Sequence, residues 1–102
     1  MVAPPRQVTI GTGASAPVSY AGKRTNLVIS NLGSATIYTG TNNQVSTTNG
    51  YPILAGQTFN YNYDDGDNPR LKRWFIAGSN QTLAISEEYG SIPAWVRAEE
   101  GI

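Results

Sequence analysis

Apolar and polar residues alternate along most of this chain in short runs, and Gly, Asn, Ser, Thr and Pro cluster between the runs. Neighbouring side chains of a strand point to opposite faces, so the alternation predicts half-buried β-strands; the spacing of an amphipathic helix is missing almost everywhere. Strands are expected at 7–10, 17–20, 24–31, 35–40, 52–54, 57–63, 71–77 and 82–89. Such a series of short strands predicts an all-β fold: an antiparallel β-sandwich, jelly-roll-like, with extended or partly helical terminal tails. Residues 1–16 read as an N-terminal arm and first edge strand, 17–90 as the sandwich core, and 91–102 as a C-terminal tail.

Four stretches carry more detail. In 24–31, Leu27 and Ile29 are expected to face the core while Arg24, Asn26 and Ser30 face away. Asn31, Leu32, Gly33 and Ser34 then read as a hairpin loop between two paired strands, with Gly33 supplying a positive φ and Ile37 resuming the core face. In 57–63, Phe59, Tyr61 and Tyr63 fall on one face, which fits either core packing across strands or a platform on which a ligand stacks. Trp74, Phe75, Ile76 and Ala77 are apolar without alternation, as in a central strand covered on both faces, a strand with a bulge, or one that meets a neighbouring subunit.

The ends differ from the middle. Pro4 and Pro5 favour an extended chain. The tail could form a short helix, with Pro93 near its first turn and Gly101 after its last, although Glu99 and Glu100 oppose the helix dipole there. Helix and arm both stay open. Ile92, Trp95 and Val96 lie outside the strand framework, so this apolar cluster is expected to pack on its own domain or on another subunit.

Composition narrows the chemistry. The chain has 102 residues, enough for one domain, with seven basic and seven acidic residues and no global field to attract nucleic acid or an anionic membrane. It has no cysteine, hence no disulfide, thiolate metal site or Cys nucleophile, and the opening residues do not have the pattern of a secretion signal. With no histidine, catalysis would fall to carboxylates, Lys or Tyr. Asp64, Asp65 and Asp67 are weak candidates for a hard cation, but the bidentate Glu that closes a calcium loop is missing, and a solvated loop is the plainer reading. Glu87 and Glu88 are adjacent on a strand, point to opposite faces and cannot pair as an acid and a base; one of them is expected to be buried against Lys72 or Arg73. Arg70, Lys72 and Arg73 form the one dense basic run, directly before Trp74. A single-stranded nucleic acid groove would carry wider positive charge, so a polar strand end or a subunit contact fits better. No phosphate-binding motif and no cofactor signature is present.

The stretch 24–56 resembles a motif of small structural proteins from tailed-bacteriophage heads, the decoration (cement) proteins and head-fibre modules. The pattern is an Arg, an apolar strand ending in Asn, a short turn, a second apolar strand ending in Tyr-x-Gly, a Val, Asn-Gly, an apolar pair and a Gly. Here these are Arg24, Leu27, Ile29, Asn31, Gly33, Ile37, Tyr38, Gly40, Val45, Asn49, Gly50, Ile53, Leu54 and Gly56. Residues 73–90 extend the match as a closing hairpin, so that it spans about 18–89. The resemblance implies a jelly-roll-like sandwich that trimerises on the outer capsid surface, with the major capsid protein as partner, no enzymatic activity and no cofactor. Candidate interface residues, chosen because Trp and Arg are favoured anchors, are Pro4, Pro5, Arg6, Arg70, Lys72, Arg73, Trp74, Ile92, Trp95, Val96 and Arg97. Two alternatives stand beside this expectation. One is a tail or baseplate component of the virion; the other is a glycan-binding or adhesion module using Tyr51, Tyr61, Tyr63 and Trp74 as stacking surfaces.

Overall fold

The computed structural model describes residues 4–63 and 68–90. These residues form eight strands: β1 (Arg6–Ile10), β2 (Ser15–Val18), β3 (Arg24–Asn31), β4 (Ile37–Gly40), β5 (Tyr51–Ile53), β6 (Thr58–Asn62), β7 (Arg73–Ala77) and β8 (Gln81–Tyr89). They build two four-stranded sheets, ordered β1-β8-β3-β6 and β2-β7-β4-β5, and all pairings are antiparallel. The expected strands are therefore present in the expected order, and the fold is all-β.

Alternation does position the core. Ile10, Leu27, Ile29, Leu83 and Ile85 come from the first sheet and Val18, Ile37, Ile53, Phe75 and Ala77 from the second, in one buried cluster. Each fully buried aliphatic side chain contributes about 1.5–3 kcal/mol, so this one cluster dominates the stability of the domain. Phe59 and Tyr61 lie opposite Ile29 and Leu27 and pack against the cluster from the edge strand β6. The unalternated stretch is β7, which runs between β2 and β4 with a register irregularity against β2.

The expected hairpin at Asn31 to Ser34 is not one. β3 and β4 belong to different sheets, so the segment crosses between layers. Gly33 does not supply a positive φ; among the described residues Gly56 does, at 79°. Gly33 is needed for space, because a Cβ there would stand 2.1 Å from Gln81 Oε1. That oxygen accepts from the backbone N–H groups of Ser34 and Ala35, at 2.9 and 3.1 Å. Asn31 holds the other side of the crossing: its Nδ2 donates to the carbonyls of Ala35 and Ile53, both at 2.8 Å, and its Oδ1 accepts from Gly33 N–H. The closing hairpin expected over 73–90 fails in the same way, since β7 and β8 lie in opposite sheets. Turn composition marks where a chain reverses and carries no information on which sheet it enters next.

One inward position also departs from strict alternation. Arg24 was expected to face away from the core, yet it is buried. The β3–β8 register shifts between Arg24 and Asn26, and the extra residue of this irregularity returns Arg24 to the face of Leu27.

Candidate functional site

Arg6 of β1 lies opposite Ile85 of β8, and Arg24 of β3 lies opposite Tyr89. Extending the antiparallel β1–β8 register by two residues sets Pro4 level with Glu87, so the chain enters the first sheet and leaves β8 at the same end of the domain. Pro4 and Pro5 are exposed there.

A charge cluster closes this pole, with Arg24 and Glu87 buried and Arg6 exposed at its edge. The Arg24 guanidinium donates to four backbone carbonyls: Pro69 at 2.6 Å, Ser19 at 3.0 Å, Leu71 at 3.1 Å and Arg70 at 3.3 Å. It thereby ties β3 to the segments entering β7 and leaving β2. Its Nη1 lies 3.6 Å from Glu87 Oε2, while Arg6 Nη1 donates to Glu87 Oε1 at 2.6 Å and Arg6 Nη2 to the Pro17 carbonyl at 2.8 Å. The Tyr89 hydroxyl donates to Glu87 Oε2. Burial alone would push the Glu87 carboxyl up, but the Tyr89 hydrogen bond and the charges of Arg6 and Arg24 outweigh it and hold the group below the ordinary carboxylate range. The same hydrogen bond, with some desolvation, pushes the Tyr89 hydroxyl above the usual tyrosine range. The buried member of the Glu87–Glu88 pair is thus Glu87, and its partners are Arg6 and Arg24 instead of Lys72 or Arg73. The expected partners sit on the segment leading into β7 and on β7 itself, in the opposite sheet.

The other interface candidates fall elsewhere. The basic run does not make a stripe, because its cations each sit over a different ring: Arg70 5.9 Å from the Tyr63 centroid, Lys72 4.9 Å from Trp74 and Arg73 3.9 Å from Tyr61. Arg70 is buried within the subunit, Arg73 and Trp74 are half-buried, and Lys72 is exposed. Asp64, Asp65 and Asp67, and the tail residues Ile92, Trp95, Val96 and Arg97, lie outside the described residues.

A groove of about 620 Å³ opens on the flank where the edge strands β5 and β6 face each other. Its aromatic wall is Tyr51, Phe59 and Tyr61, with ring centroids 5.7 Å apart for the first pair and 6.4 Å for the second, tilted by 58° and 84°. Hydroxyl and amide groups of Thr39, Thr41, Asn49 and Asn60 form the polar lining, and Arg73 stands at one side with its guanidinium over Tyr61. Of the four aromatics named from the sequence as stacking surfaces, the groove takes Tyr51 and Tyr61. Tyr63 is buried beneath Arg70, and Trp74 carries Lys72. The sequence reading missed Thr39, Thr41, Asn49 and Asn60 because they converge only through the pairing of β4 with β5 and the crossing to β6; no local spacing signals it.

No protein-family model matches the chain, and no curated protein sequence or solved structure matches it.

Proposed function

We propose that the chain is a non-enzymatic structural protein of a tailed-phage virion, a decoration protein that seats on the outer capsid surface and stabilises the shell. One observation carries the attachment reading: both ends of the described chain leave from adjacent strands at a single pole, closed by the Arg6–Glu87–Arg24 cluster. Two segments that start side by side can grip one partner, and the partner in this reading is the major capsid protein. The exposed Pro4 and Pro5, with Ile92, Trp95, Val96 and Arg97 beyond β8, are the residues assigned to it.

The fold reading at this finer level is a jelly-roll sandwich. Its support is the strand order, in which every connection but β4–β5 passes between the sheets, together with one core shared by both sheets. The head-protein resemblance adds weight, because its residues serve the frame: Arg24 and Asn31 bond several segments together, and Gly40 and Gly50 leave room for the buried Val45. A homotrimer is the assembly proposed, since closed symmetry covers exposed surface without open-ended growth.

Purified shells heated with and without the protein test the reading. Expected is binding to the shell and a higher temperature of shell disruption. Shells that neither bind the protein nor gain stability would remove the proposal, and binding confined to isolated tails would replace it with the tail-component reading.

A further inference from the structure

We propose that the flank groove between β5 and β6 is a binding site for a neutral saccharide. The inference does not rest on the virion reading, and it starts from Tyr51. This ring is 67% exposed, yet it is held at 5.7 Å from Phe59 on the opposite sheet, so a large apolar face stands open to solvent at the mouth of a cavity. Tyr20 has a similar exposure but does not line the groove. Sugar rings offer flat C–H faces that stack on aromatic rings, and the tilted arrangement of Tyr51, Phe59 and Tyr61 presents two such faces at an angle.

The lining fixes the ligand class further. Among the described residues it has a single charge and no carboxylate, which disfavours a cation. Its one charge, Arg73, already lies over Tyr61 and donates through Nη2 to the Asn68 carbonyl at 3.1 Å, so an anion would compete with contacts already made. The remaining polar groups are hydroxyls and amides, which both donate and accept and so suit sugar hydroxyls of either sense. Thr39 Oγ1 is committed to the Trp74 carbonyl at 3.0 Å, and Asn49 spans its own loop, with Oδ1 accepting from Ser46 N–H and Nδ2 donating to the Gln44 carbonyl. Thr41 and Asn60 are exposed on the rim. An extended peptide is the competing occupant. It would add along β6, where half of its side chains would meet the polar outer face of Thr58 and Asn60, whereas a sugar stacks on the aromatic side and meets Thr41 and Asn60 only at the rim.

The test uses the full chain in two steps. A printed array of neutral and acidic glycans is screened first, and maltotriose, lactose and chitotriose are titrated into isotope-labelled protein followed by NMR. Expected are amide shifts at Thr41, Asn49, Tyr51 and 58–61 with a Kd of about 1 mM or tighter, weakened at least about tenfold by Tyr51→Ala at an unchanged thermal midpoint. Tyr20→Ala should bind as the parent does. A silent array with no shifts from the three sugars overturns the proposal. So does binding restricted to acidic glycans, binding indifferent to Tyr51→Ala, or the same amides shifting only with an extended apolar peptide. Shell stabilisation is read in a separate assay, so either proposal can fail alone.

Discussion

At the scale of single residues, Glu87 is the most consequential polar group described. Its carboxylate compensates Arg24, which has almost no access to water, and removing one partner of a buried ion pair leaves the other uncompensated. Glu87→Gln is nearly isosteric and keeps an acceptor for Tyr89 but removes the charge, so a loss of about 3 kcal/mol at neutral pH is expected in urea unfolding. The pH dependence follows from the sign of the shift. A carboxyl held below its unfolded pKa contributes stability that is complete above the ordinary value of 4.5 and is lost as pH falls through the lower, folded one. The gap between the parent and Glu87→Gln should therefore narrow steadily from pH 5 toward about pH 2. A gap that stayed constant over that range would show that folding leaves the Glu87 pKa unshifted, and that the carboxylate gains nothing from Arg6, Arg24 and Tyr89. The sequence indicated that one of the two glutamates would be buried, but it could not name Arg24 as the partner. The residue that turns Arg24 inward is an irregularity in strand pairing, and such an insertion leaves the alternation pattern looking ordinary until the partner strand is known.

At the scale of elements, the connections rather than the strands carry the specificity of this fold. Strand positions were legible because each strand buries one face, so Leu27 and Ile29, or Leu83 and Ile85, announce themselves two residues apart. The partition into sheets was not legible, since pairing is a long-range choice: Asn31, Leu32, Gly33 and Ser34 have the composition of a hairpin and are a crossing. The glycines show what the connections demand, whether within one sheet or across to the other. A Cβ at Gly50 would lie 2.7 Å from Tyr38 Cβ and 2.9 Å from the Ser46 carbonyl, and one at Gly33 would meet the Gln81 side chain that caps Ser34 and Ala35. Gly78, between β7 and β8, has nothing within 4 Å of that position and no positive φ. Gly50→Ala and Gly33→Ala are each expected to lose about 1–3 kcal/mol through overpacking. Gly78→Ala should change stability by less than about 0.5 kcal/mol. Denaturation midpoints measured side by side check the ranking, and equal midpoints for Gly50→Ala and Gly78→Ala would contradict the packing assigned to the loop between β4 and β5.

At the scale of the whole molecule, four strands end a sheet among the described residues: β1 and β6 in one, β2 and β5 in the other. Exposed edges invite pairing with another copy, and proline is one of the few residues that blocks it without disturbing the ladder on the inner side. Both edges of the second sheet carry one, Pro17 in β2 and Pro52 in β5. Pro52 lies opposite Tyr38 within a paired stretch, so the N–H it lacks is one that would point outward from β5. The second sheet is thus protected from edge-to-edge growth, which fits assembly into a closed body over assembly into fibres. For the proposed trimer, light scattering should give one species at three times the 10.9 kDa chain mass, with no larger aggregates as concentration rises. Pro52→Val restores an outward donor and adds a β-branched residue on the same edge, so it should leave the unfolding midpoint within about 1 kcal/mol of the parent while making the mass climb with concentration. If the variant remained the same size as the parent at every concentration, edge protection by Pro52 would be refuted, and the closed assembly would need another cause, such as burial of the β5 edge inside the trimer itself.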